Sequence, residues 1–307
     1  MTAVAKTIVA TGASSGIGFE LVKQLLFQPS TTPYRFILGA RDVARTQAAY
    51  DALRYDSARH SLTVLPLELS DLRATRSFAQ LTLQRLRDEG HNGGLDYLLL
   101  NAAVTNPAGA NLKGQEEGKG EFGEKGWCES FVVNHLSQHY LVHLLREKLV
   151  ESKARIVVVS SGAIRRVQQT DSLDSDLKAG SGADGQTTYS QTKFVQLLGA
   201  HWWRRQLKGQ CTVVAVSPGL IPDTGIGRGS GMKLTMDMPD AKTVPEGAQS
   251  IFRAFTRDIP EDPDQIFLTS WGEWWSKDVY ALSLDKALQD KWCPSKEEIE
   301  RKNGLSE

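Results

Sequence analysis

This sequence has few cysteines, no long hydrophobic run and no excess of charge of either sign. Its 307 residues include three cysteines, which are far apart and never form a CxxC pair; they are Cys128, Cys211 and Cys293. This spacing argues against a disulfide framework or a zinc site and favours a reducing compartment. No apolar run reaches the roughly 18 residues that a membrane-spanning helix needs, so we predict no membrane span.

The charge balance argues against two further classes of partner. The chain carries 36 basic and 36 acidic residues, for a net charge of zero, which does not favour binding to nucleic acid or to anionic membranes. The N-terminal stretch MTAVAKTIVATG lacks the apolar region of a signal peptide. We therefore expect a cytoplasmic protein whose partner is a small molecule, and which is either a monomer or a homo-oligomer.

Short apolar segments alternate with amphipathic ones along the chain. Because the short segments are almost wholly apolar, they suit strands of a parallel sheet that is buried on both faces. They lie at residues 7–10, 35–40, 62–69, 96–101, 155–161, 211–217 and 265–269. Helical patterns lie between them, at residues 17–27, 43–55, 72–87, 128–149 and 190–207. This alternation predicts an α/β fold, a Rossmann-type doubly wound parallel sheet of about seven strands.

The end of the chain carries two helix-start signals, Thr243 with Glu246 and Ser295 with Glu298, which are typical of capping boxes. We assign residues 1–270 to a single dinucleotide-binding and catalytic domain. Residues 271–307 are too short for a domain of their own and form a tryptophan-rich C-terminal extension. We expect this extension to pack beside the main domain, with a place over the cleft as the further alternative.

Three segments interrupt the alternation, at residues 105–126, 162–188 and 218–242. They are rich in glycine, proline or polar residues, and each follows a predicted strand. The carboxyl ends of the strands are where open α/β sheets bind ligands, so these segments are expected to surround a cleft. For 105–126 a disordered insertion is the alternative.

The loop after the first strand has a pattern that suits phosphate binding. The stretch TGASSGIG places Gly12, Gly16 and Gly18 between a strand and a helix. Glycine permits a tight turn and lets a phosphate approach the helix N-terminus, whose free N–H groups and dipole favour anions. At this position in the chain, the three glycines predict a dinucleotide site.

Six further motifs follow this loop in order. They are Leu-Ser-Asp (69–71), LLLNAAV (98–104), VNHLSQHYL (133–141), VVVSSG (157–162), YSQTK (189–193) and SPG (217–219). Over residues 6–225 the series resembles the short-chain dehydrogenase/reductase family of the carbonyl reductase type. It also has some likeness to retinol dehydrogenases, protochlorophyllide reductases and fungal biosynthetic reductases. Ala103 departs from the family pattern, in which glycine is usual, and this bears on the turn near the cofactor.

The resemblance implies a set of catalytic residues, which are Asn134, Ser161, Tyr189 and Lys193. Ser161 would bind the substrate carbonyl, with Ser160 as the alternative, and Asn134 would anchor a water that leads from Lys193 to solvent. The residues expected to bind the cofactor are Gly12, Ser14, Ser15, Gly16, Ile17, Gly18, Arg41, Asp71, Asn101, Tyr189, Lys193, Pro218, Gly219 and Thr224. Among these, Asp71 would meet the adenine ring. Ser161 and Tyr189 are farther apart than is usual in the family, so the extra residues must loop out.

Tyr189 and Lys193 stand four residues apart, which places them on one face of a helix. A lysine charge about 5 Å away, at an effective dielectric of about 20, favours the phenolate by roughly 3 kcal/mol. This corresponds to a fall of about two units in the pKa of the tyrosine, which brings it toward the range that suits general acid–base catalysis.

The end of the second strand bears on the choice of cofactor. An NAD-selective site usually presents a carboxylate there, but this sequence has Ala40 followed by Arg41. A guanidinium matches the 2′-phosphate of NADP(H), with Arg45 one turn further on. Asp42 is the competing candidate for binding the ribose, although it suits an N-cap position better. NADPH is therefore the expected cofactor.

Three histidines, His135, His139 and His143, recur every fourth residue and could share one helix face. Histidines at this spacing can bind zinc. No acidic or cysteine ligand is identifiable near them in the sequence, so we predict no metal.

Together these features predict an NADPH-dependent short-chain reductase, an oxidoreductase that acts on CH–OH and C=O groups. Its substrate is expected to be a bulky, largely apolar ketone, with secondary-metabolite intermediates among the candidates, and the product a secondary alcohol. The alternatives are an alcohol dehydrogenase that works in the oxidative direction and a non-redox sensor or scaffold that binds the cofactor.

Overall fold

The computed structural model describes residues 4–29, 32–88, 93–109, 126–222, 224–227 and 234–305. Its centre is a sheet of seven strands, and every neighbouring pair runs parallel. The strands are β1 (Lys6–Thr11), β2 (Tyr34–Ala40), β3 (Ser61–Pro66), β4 (Tyr97–Leu100), β5 (Arg155–Val159), β6 (Thr212–Val216) and β7 (Phe267–Leu268). They lie in the order β3-β2-β1-β4-β5-β6-β7. The predicted Rossmann-type α/β sheet is confirmed.

Helices follow the strands, as the alternating pattern predicted. The α-helices are α1 (Gly16–Phe27), α2 (Val43–Asp51), α3 (Leu72–Asp88), α4 (Glu129–Phe131), α5 (Ser137–Glu151), α6 (Leu173–Asp176), α7 (Gly185–Gln206), α8 (Val244–Thr256), α9 (Lys286–Trp292) and α10 (Lys296–Lys302). A π-helical turn, Val132–Leu136, joins α4 to α5, and 3₁₀ turns occur at Gly162–Arg166, Gly225–Gly227 and Lys277–Leu284. Among the described residues, no helix is both long enough and apolar enough to cross a bilayer.

The strands are apolar throughout because the sheet is covered on both faces. Successive side chains of a strand point to opposite faces, and Ile8 and Val9 accordingly belong to different hydrophobic clusters. Val9 shares its cluster with Phe78 of α3, and Ile8 shares the other with Leu25 of α1. A sheet buried in this way leaves its strand ends as the place for a binding site.

The strand order places that site. β1 and β4 are neighbours, and the chain connections run in opposite directions on either side of them. This is the switch point of a doubly wound sheet, where a crevice opens at the carboxyl ends of the strands. The glycine loop after β1 and the segment after β4 both lie at this crevice.

The segment after β5 differs from the polar loop predicted for residues 162–188. It forms a 3₁₀ turn and the short helix α6, and Leu173 and Leu177 are fully buried. Helix α7 begins at Gly185, before the predicted residue 190, because the side chain of Asp184 accepts a hydrogen bond from the Thr187 N–H. Most of the 105–126 segment lies outside the described residues.

Both helix-start signals near the chain end are confirmed. Thr243 forms a full capping box with Glu246 at the start of α8, and the Ser295 side chain accepts from the Glu298 N–H at the start of α10. The C-terminal segment packs beside the main body, where Trp292 is buried. Trp275 of this segment lies against Arg165, which lines the cleft, with 5.2 Å between the guanidinium carbon and the ring centre. The expectation that the segment lies over the cleft stays a prediction. The proposed boundary at residue 270 stays a prediction.

The histidines of α5 and the preceding turn attach this segment. His135 Nε2 lies 2.8 Å from the Trp292 carbonyl, and His139 Nε2 lies 2.9 Å from the Pro294 carbonyl. The Trp203 indole donates to His139 Nδ1 at 2.9 Å, so His139 is a neutral imidazole that donates through Nε2. His143 Nε2 also lies near Pro294, at 3.2 Å from its carbonyl.

Because these imidazoles are buried, we predict that the folded protein loses stability at acidic pH. Burial lowers the pKa of His135 and of His143 to about 4, from the 6.5 expected in the unfolded chain. Their stabilising effect is therefore complete above pH 6.5 and is lost as the pH falls from 6.5 toward 4. Each of these two histidines should lower the free energy of unfolding by about 2 kcal/mol when the pH is reduced to 5. Urea unfolding at pH 7 and pH 5 measures the loss.

The variant His143→Gln is the control for this prediction, because its amide can hydrogen-bond but cannot titrate. Its loss of stability between pH 7 and pH 5 should be smaller than that of the unmodified protein. Equal losses in the two proteins would contradict the assignment.

Candidate active site

A cleft of about 1080 Å³ opens at the carboxyl ends of the strands. The loops after β1, β2, β4, β5 and β6 contribute to its walls. Of the residues predicted from the sequence, those that line the cleft are Gly12, Ser14, Ser15, Gly16, Ile17, Arg41, Asn101, Ser161, Tyr189, Lys193, Pro218, Gly219 and Thr224. Gly18, Asp71 and Asn134 lie outside this lining.

The glycine loop is shaped for an anion. Gly12 and Gly16 have φ angles of +66° and +56°, in the left-handed region that side chains with a Cβ rarely adopt. Ser15 precedes α1 without making a side-chain capping bond. The first N–H groups of α1 therefore keep their hydrogen-bonding capacity, and with the helix dipole they suit the pyrophosphate of a dinucleotide.

Gly18 and Asn101 support this loop from behind. The Asn101 side chain donates to the Gly12 carbonyl at 2.7 Å. A Cβ on Gly18 would stand 2.3 Å from the same carbonyl oxygen and 2.6 Å from Asn101 Nδ2. Helix α1 can approach the loop this closely only because residue 18 is glycine. The Tyr50 hydroxyl adds a further bond, to the Ala13 carbonyl at 2.6 Å.

Asp71 does not have the position expected of an adenine contact. It is exposed, and its carboxylate accepts from the Arg73 N–H at 2.7 Å, just before α3 begins. An aspartate at the start of a helix often serves its first N–H groups in this way. The cleft is lined by Leu67, Glu68 and Leu69 of this segment, and the Glu68 carboxylate accepts from the Ser70 N–H at 3.0 Å.

Tyr189 and Ser161 meet at the middle of the cleft. Tyr189 lies in the first turns of α7, and Ser161 follows β5. The Ser161 hydroxyl lies close enough to the Tyr189 hydroxyl to oppose in part the rise that burial causes in its pKa, and it accepts from the Ala163 N–H at 3.1 Å. The longer insertion between them, with α6, therefore loops out without separating the two hydroxyls.

Ser160 has different contacts. It is buried, and its hydroxyl donates to the Lys193 carbonyl at 3.1 Å. This bond ties the end of β5 to α7. Of the two adjacent serines, Ser161 is the one whose hydroxyl contacts Tyr189.

Lys193 is buried in the cleft wall and does not act on Tyr189 as the sequence suggested. Its Nζ lies 5.8 Å from the centre of the Tyr189 ring and donates to the Val159 carbonyl at 2.7 Å. Burial lowers the pKa of Lys193 to about 7. Burial also raises the pKa of Tyr189, and the hydrogen bond with Ser161 opposes that rise only in part. The expected fall in the tyrosine pKa is therefore not found, and Tyr189 is a neutral phenol at pH 7.

Asn134 lies in the π-helical turn before α5. Its side-chain oxygen accepts from the Val104 N–H at 2.8 Å, and its Nδ2 donates to the Val104 carbonyl and to Thr192 Oγ1. The side chain thus holds the segment after β4 against α7. The predicted role of Asn134 in anchoring a water that leads from Lys193 stays a prediction.

The π-helical turn exposes carbonyl groups that an α-helix would use. Gln138 Nε2 donates to two of them, on Val133 and Asn134, and to the Ala102 carbonyl. Its Oε1 accepts from the Thr11 hydroxyl at 3.1 Å. Sequence reasoning missed Gln138, although it stands one helical turn after Asn134 in a motif that had been recognised.

Arg41 and Asp42, the two residues considered for cofactor selection, have different positions at the end of β2. Arg41 is exposed and lines the cleft. Asp42 is the N-cap of α2, as the sequence suggested, and its carboxylate accepts from the Arg45 N–H at 2.9 Å. The carboxylate nearest to the strand tip thus caps α2, while the arginine before it lines the cleft.

These features define a member of a known class. The family model for short chain dehydrogenases matches residues 6–172, and the chain belongs to the short-chain dehydrogenase/reductase family, whose members are oxidoreductases that act on alcohol and carbonyl groups. The glycine loop fits the nicotinamide dinucleotide that such enzymes use.

Among relatives, the chain is similar to a short-chain dehydrogenase/reductase from Pestalotiopsis microspora. The two are 58% identical over 299 residues, or 96% of this chain and 98% of the relative. Human retinol dehydrogenase 12 is 30% identical over 252 residues, which cover 80% of this chain and 71% of that one.

The fold is shared with solved carbonyl reductases. The NADPH-bound carbonyl reductase from chicken fatty liver matches 89% of this chain and 95% of its own, with a TM-score of 0.64 and 21% identity. The carbonyl reductase Sniffer of D. melanogaster gives a TM-score of 0.62 at 18% identity. At such identities the likeness concerns the fold alone.

Proposed function

We propose that this protein is an NADPH-dependent reductase that converts the ketone of a bulky, largely apolar substrate to a secondary alcohol. The observation that carries the proposal is the placement of the Ser161 and Tyr189 side chains in the same cleft as the glycine loop after β1. One end of the cleft suits a dinucleotide, and the pair lies where a carbonyl oxygen could be bound and protonated.

Each catalytic side chain has a distinct role in this proposal. Bound NADPH would supply the hydride to the carbonyl carbon. Tyr189 donates a proton to the carbonyl oxygen, since a phenol whose pKa is about 10 or higher carries its proton at neutral pH. Ser161 hydrogen-bonds to the same oxygen and stabilises the charge that develops on it. Lys193 contributes a positive charge to the cleft wall and, by the family pattern, contacts the nicotinamide ribose.

The cofactor would be held by residues at the other end of the cleft. The N-terminus of α1 would take the pyrophosphate, Glu68 would lie toward the adenine, and Arg41 would take the 2′-phosphate. Asp42, the competing candidate for the ribose, is occupied as a helix cap. These contacts favour NADPH over NADH, and with it the reductive direction.

The substrate end of the cleft is wide and mixed in character. Apolar side chains that line it include Val104, Val133, Ile221, Leu234 and Met238. Such a lining suits a bulky, largely apolar ketone, and secondary-metabolite intermediates are among the candidates.

Oxidation of an alcohol by the same residues is the second candidate function. It requires Tyr189 to accept a proton, and the raised pKa of its hydroxyl makes the phenolate scarce at pH 7. A non-redox scaffold would have no use for the paired hydroxyls beside a buried lysine.

A cofactor-consumption assay tests the proposal. The protein is mixed with NADPH and a panel of ketones of increasing size, and absorbance at the nicotinamide band is followed. We expect NADPH to be consumed fastest with bulky apolar ketones. If the protein oxidises alcohols with NADP⁺ but reduces none of the corresponding ketones at neutral pH, the direction proposed here is wrong.

The choice of NADPH is tested at Arg41. Charge-assisted bonds to the 2′-phosphate are worth roughly 1.5–3 kcal/mol, so Arg41→Ala should raise KM for NADPH about 10- to 100-fold. KM for NADH, which has no such phosphate, should barely change. Ala40→Asp should also weaken NADPH binding, by repelling the phosphate, while offering a carboxylate to the ribose of NADH.

The double variant Arg41→Ala/Arg45→Ala controls for a second guanidinium one turn further along α2. Initial rates over a range of NADPH and NADH concentrations give both KM values for each variant. A double variant that kept its preference for NADPH, or an unmodified protein that used both cofactors equally, would remove the basis for the assignment.

A further inference from the structure

The ammonium of Lys193 is held by a neighbour that the sequence did not single out. Lys193 Nζ donates to Gln196 Oε1 at 3.0 Å as well as to the Val159 carbonyl at 2.7 Å. Gln196 lies one turn further along α7, and the exposed fractions of the lysine and glutamine are 1% and 4%. A buried ammonium needs acceptors to remain charged, and Gln196 supplies the side-chain acceptor.

The orientation of the Gln196 amide supports this role. Its Nε2 is buried and has no hydrogen-bond partner among the described residues. Leaving a buried donor unpaired is costly, yet the reversed amide would point its N–H groups at the ammonium. The amide is thus held in the orientation that serves Lys193, even though its own donor remains unsatisfied.

Asn134, which the sequence suggested for the region behind Lys193, has its side chain bonded elsewhere. Both ends of its amide are bound, to Val104 and Thr192. Its main-chain carbonyl receives Gln138. The polar network behind the lysine therefore continues along α7 to Gln196 and does not cross to Asn134.

We propose that Gln196 is a positioning residue, which fixes the Lys193 ammonium in the cleft wall and keeps it charged for its work with the Ser161–Tyr189 pair. The proposal deepens the proposed function and rests on it for the catalytic role of Lys193. The placement of the charge by Gln196 is a property of the ligand-free protein and can be measured without turnover.

The surroundings of Lys193 make its charge sensitive to this one contact. Tyr189 is the titratable group that faces it, and among the described residues no carboxylate pairs with its Nζ in the helices or strands packed around it. The charged side chains that line the same cleft are Arg41, Glu68, Glu129, Arg165, Arg166 and Asp240. With no ion pair to fix its charge, loss or gain of a partner at residue 196 should shift its titration.

The test is an NMR titration of ligand-free protein whose lysines carry carbon-13 at Cε. The Lys193 signal is assigned by its loss in Lys193→Met, and in the unmodified protein it should titrate near pH 7. Gln196→Met, of nearly the same shape, removes the acceptor and should lower the midpoint by about one pH unit. Gln196→Glu places a carboxylate beside Nζ and should raise the midpoint by about one unit or more.

Gln191→Met is the matched control. Gln191 is a buried glutamine of the same helix, but its amide bonds to Asp176 at 2.6 Å and it does not line the cleft. It should leave the Lys193 midpoint unchanged. A midpoint that did not move in Gln196→Met, or that moved equally in Gln191→Met, would overturn the proposal. If Gln196→Met does not fold, the midpoint of Gln196→Glu decides, and no rise there would overturn it as well.

Kinetics separate this proposal from the proposed function. Where a ketone is reduced, the alkaline limb of kcat/KM for NADPH should move down in Gln196→Met and up in Gln196→Glu, in parallel with the titration. If the midpoints shift as expected but the unmodified protein reduces no ketone, the placement of the charge stands and the reductase function fails. If ketones are reduced but the midpoints do not shift, the positioning role of Gln196 fails alone.

Discussion

Tyr189→Phe should lower the turnover number for ketone reduction by at least about 100-fold. General acid catalysis typically contributes about 10²–10⁴-fold to a rate, and the substitution removes the proton donor while keeping the ring. Because Tyr189 sits in the first turns of α7 and its hydroxyl contacts Ser161, the fold and the binding of NADPH should be preserved. Steady-state kinetics and fluorescence titration with NADPH measure the two quantities.

Tyr280→Phe is the matched control for the loss of a tyrosine hydroxyl. Tyr280 is buried, its hydroxyl donates to the Asp264 carbonyl at 3.0 Å, and it does not line the cleft. Its turnover should match that of the unmodified protein. A Tyr189→Phe enzyme with more than about a tenth of normal turnover would show that another group is the acid.

Ser161→Ala should have the second largest effect. Removing a donor that stabilises a developing oxyanion costs roughly 3–4 kcal/mol in other enzymes, which corresponds to a loss of about 100- to 1000-fold in turnover. The adjacent Ser160→Ala removes a buried hydroxyl that bonds to the Lys193 carbonyl. It should lower the free energy of unfolding by about 1 kcal/mol and affect turnover far less.

Both serine variants should be measured with one ketone, and their unfolding by urea compared. The two residues are neighbours in the chain and have the same side chain. A difference between their losses of turnover therefore reflects the different positions of the two hydroxyls. The reverse ranking would transfer the carbonyl-binding role to Ser160.

The sheet could be predicted from the sequence because its strands are buried on both faces. Segments such as residues 156–159, Ile-Val-Val-Val, are apolar without interruption, and few arrangements other than a covered parallel strand accept such a run. The helix starts at Thr243 and Asp42 could also be predicted, because each has an N-cap residue. These features are local, so a short stretch of sequence contains what determines them.

The errors concern contacts between distant parts of the chain. Two carboxylates stand three residues apart after β3, and only the position of β3 relative to α3 decides that Glu68 lines the cleft while Asp71 bonds to the Arg73 N–H. The lowered pKa expected for Tyr189 assumed a lysine charge turned toward the ring. In the structure, burial raises the pKa of Tyr189, and the Lys193 ammonium donates to the Val159 carbonyl. Neither effect can be predicted from the helical spacing of the two residues.

Residues that support the site without belonging to a recognised position were also missed. Gln138 and Gln196 look like ordinary polar residues of a helix in the sequence. Their roles arise because the π-helical turn leaves carbonyls to be bonded and because α7 buries a lysine beside β5.

The most direct test of the reductase assignment is transfer of deuterium from NADPH labelled at the reactive nicotinamide carbon. The protein is incubated with the labelled cofactor and a bulky ketone, and the product is analysed by mass spectrometry and NMR. If the function proposed here is correct, deuterium appears on the carbinol carbon of a secondary alcohol, in a single configuration, and the yield falls with Tyr189→Phe and not with Tyr280→Phe. Unlabelled product, or labelled product formed equally well by Tyr189→Phe, would contradict it.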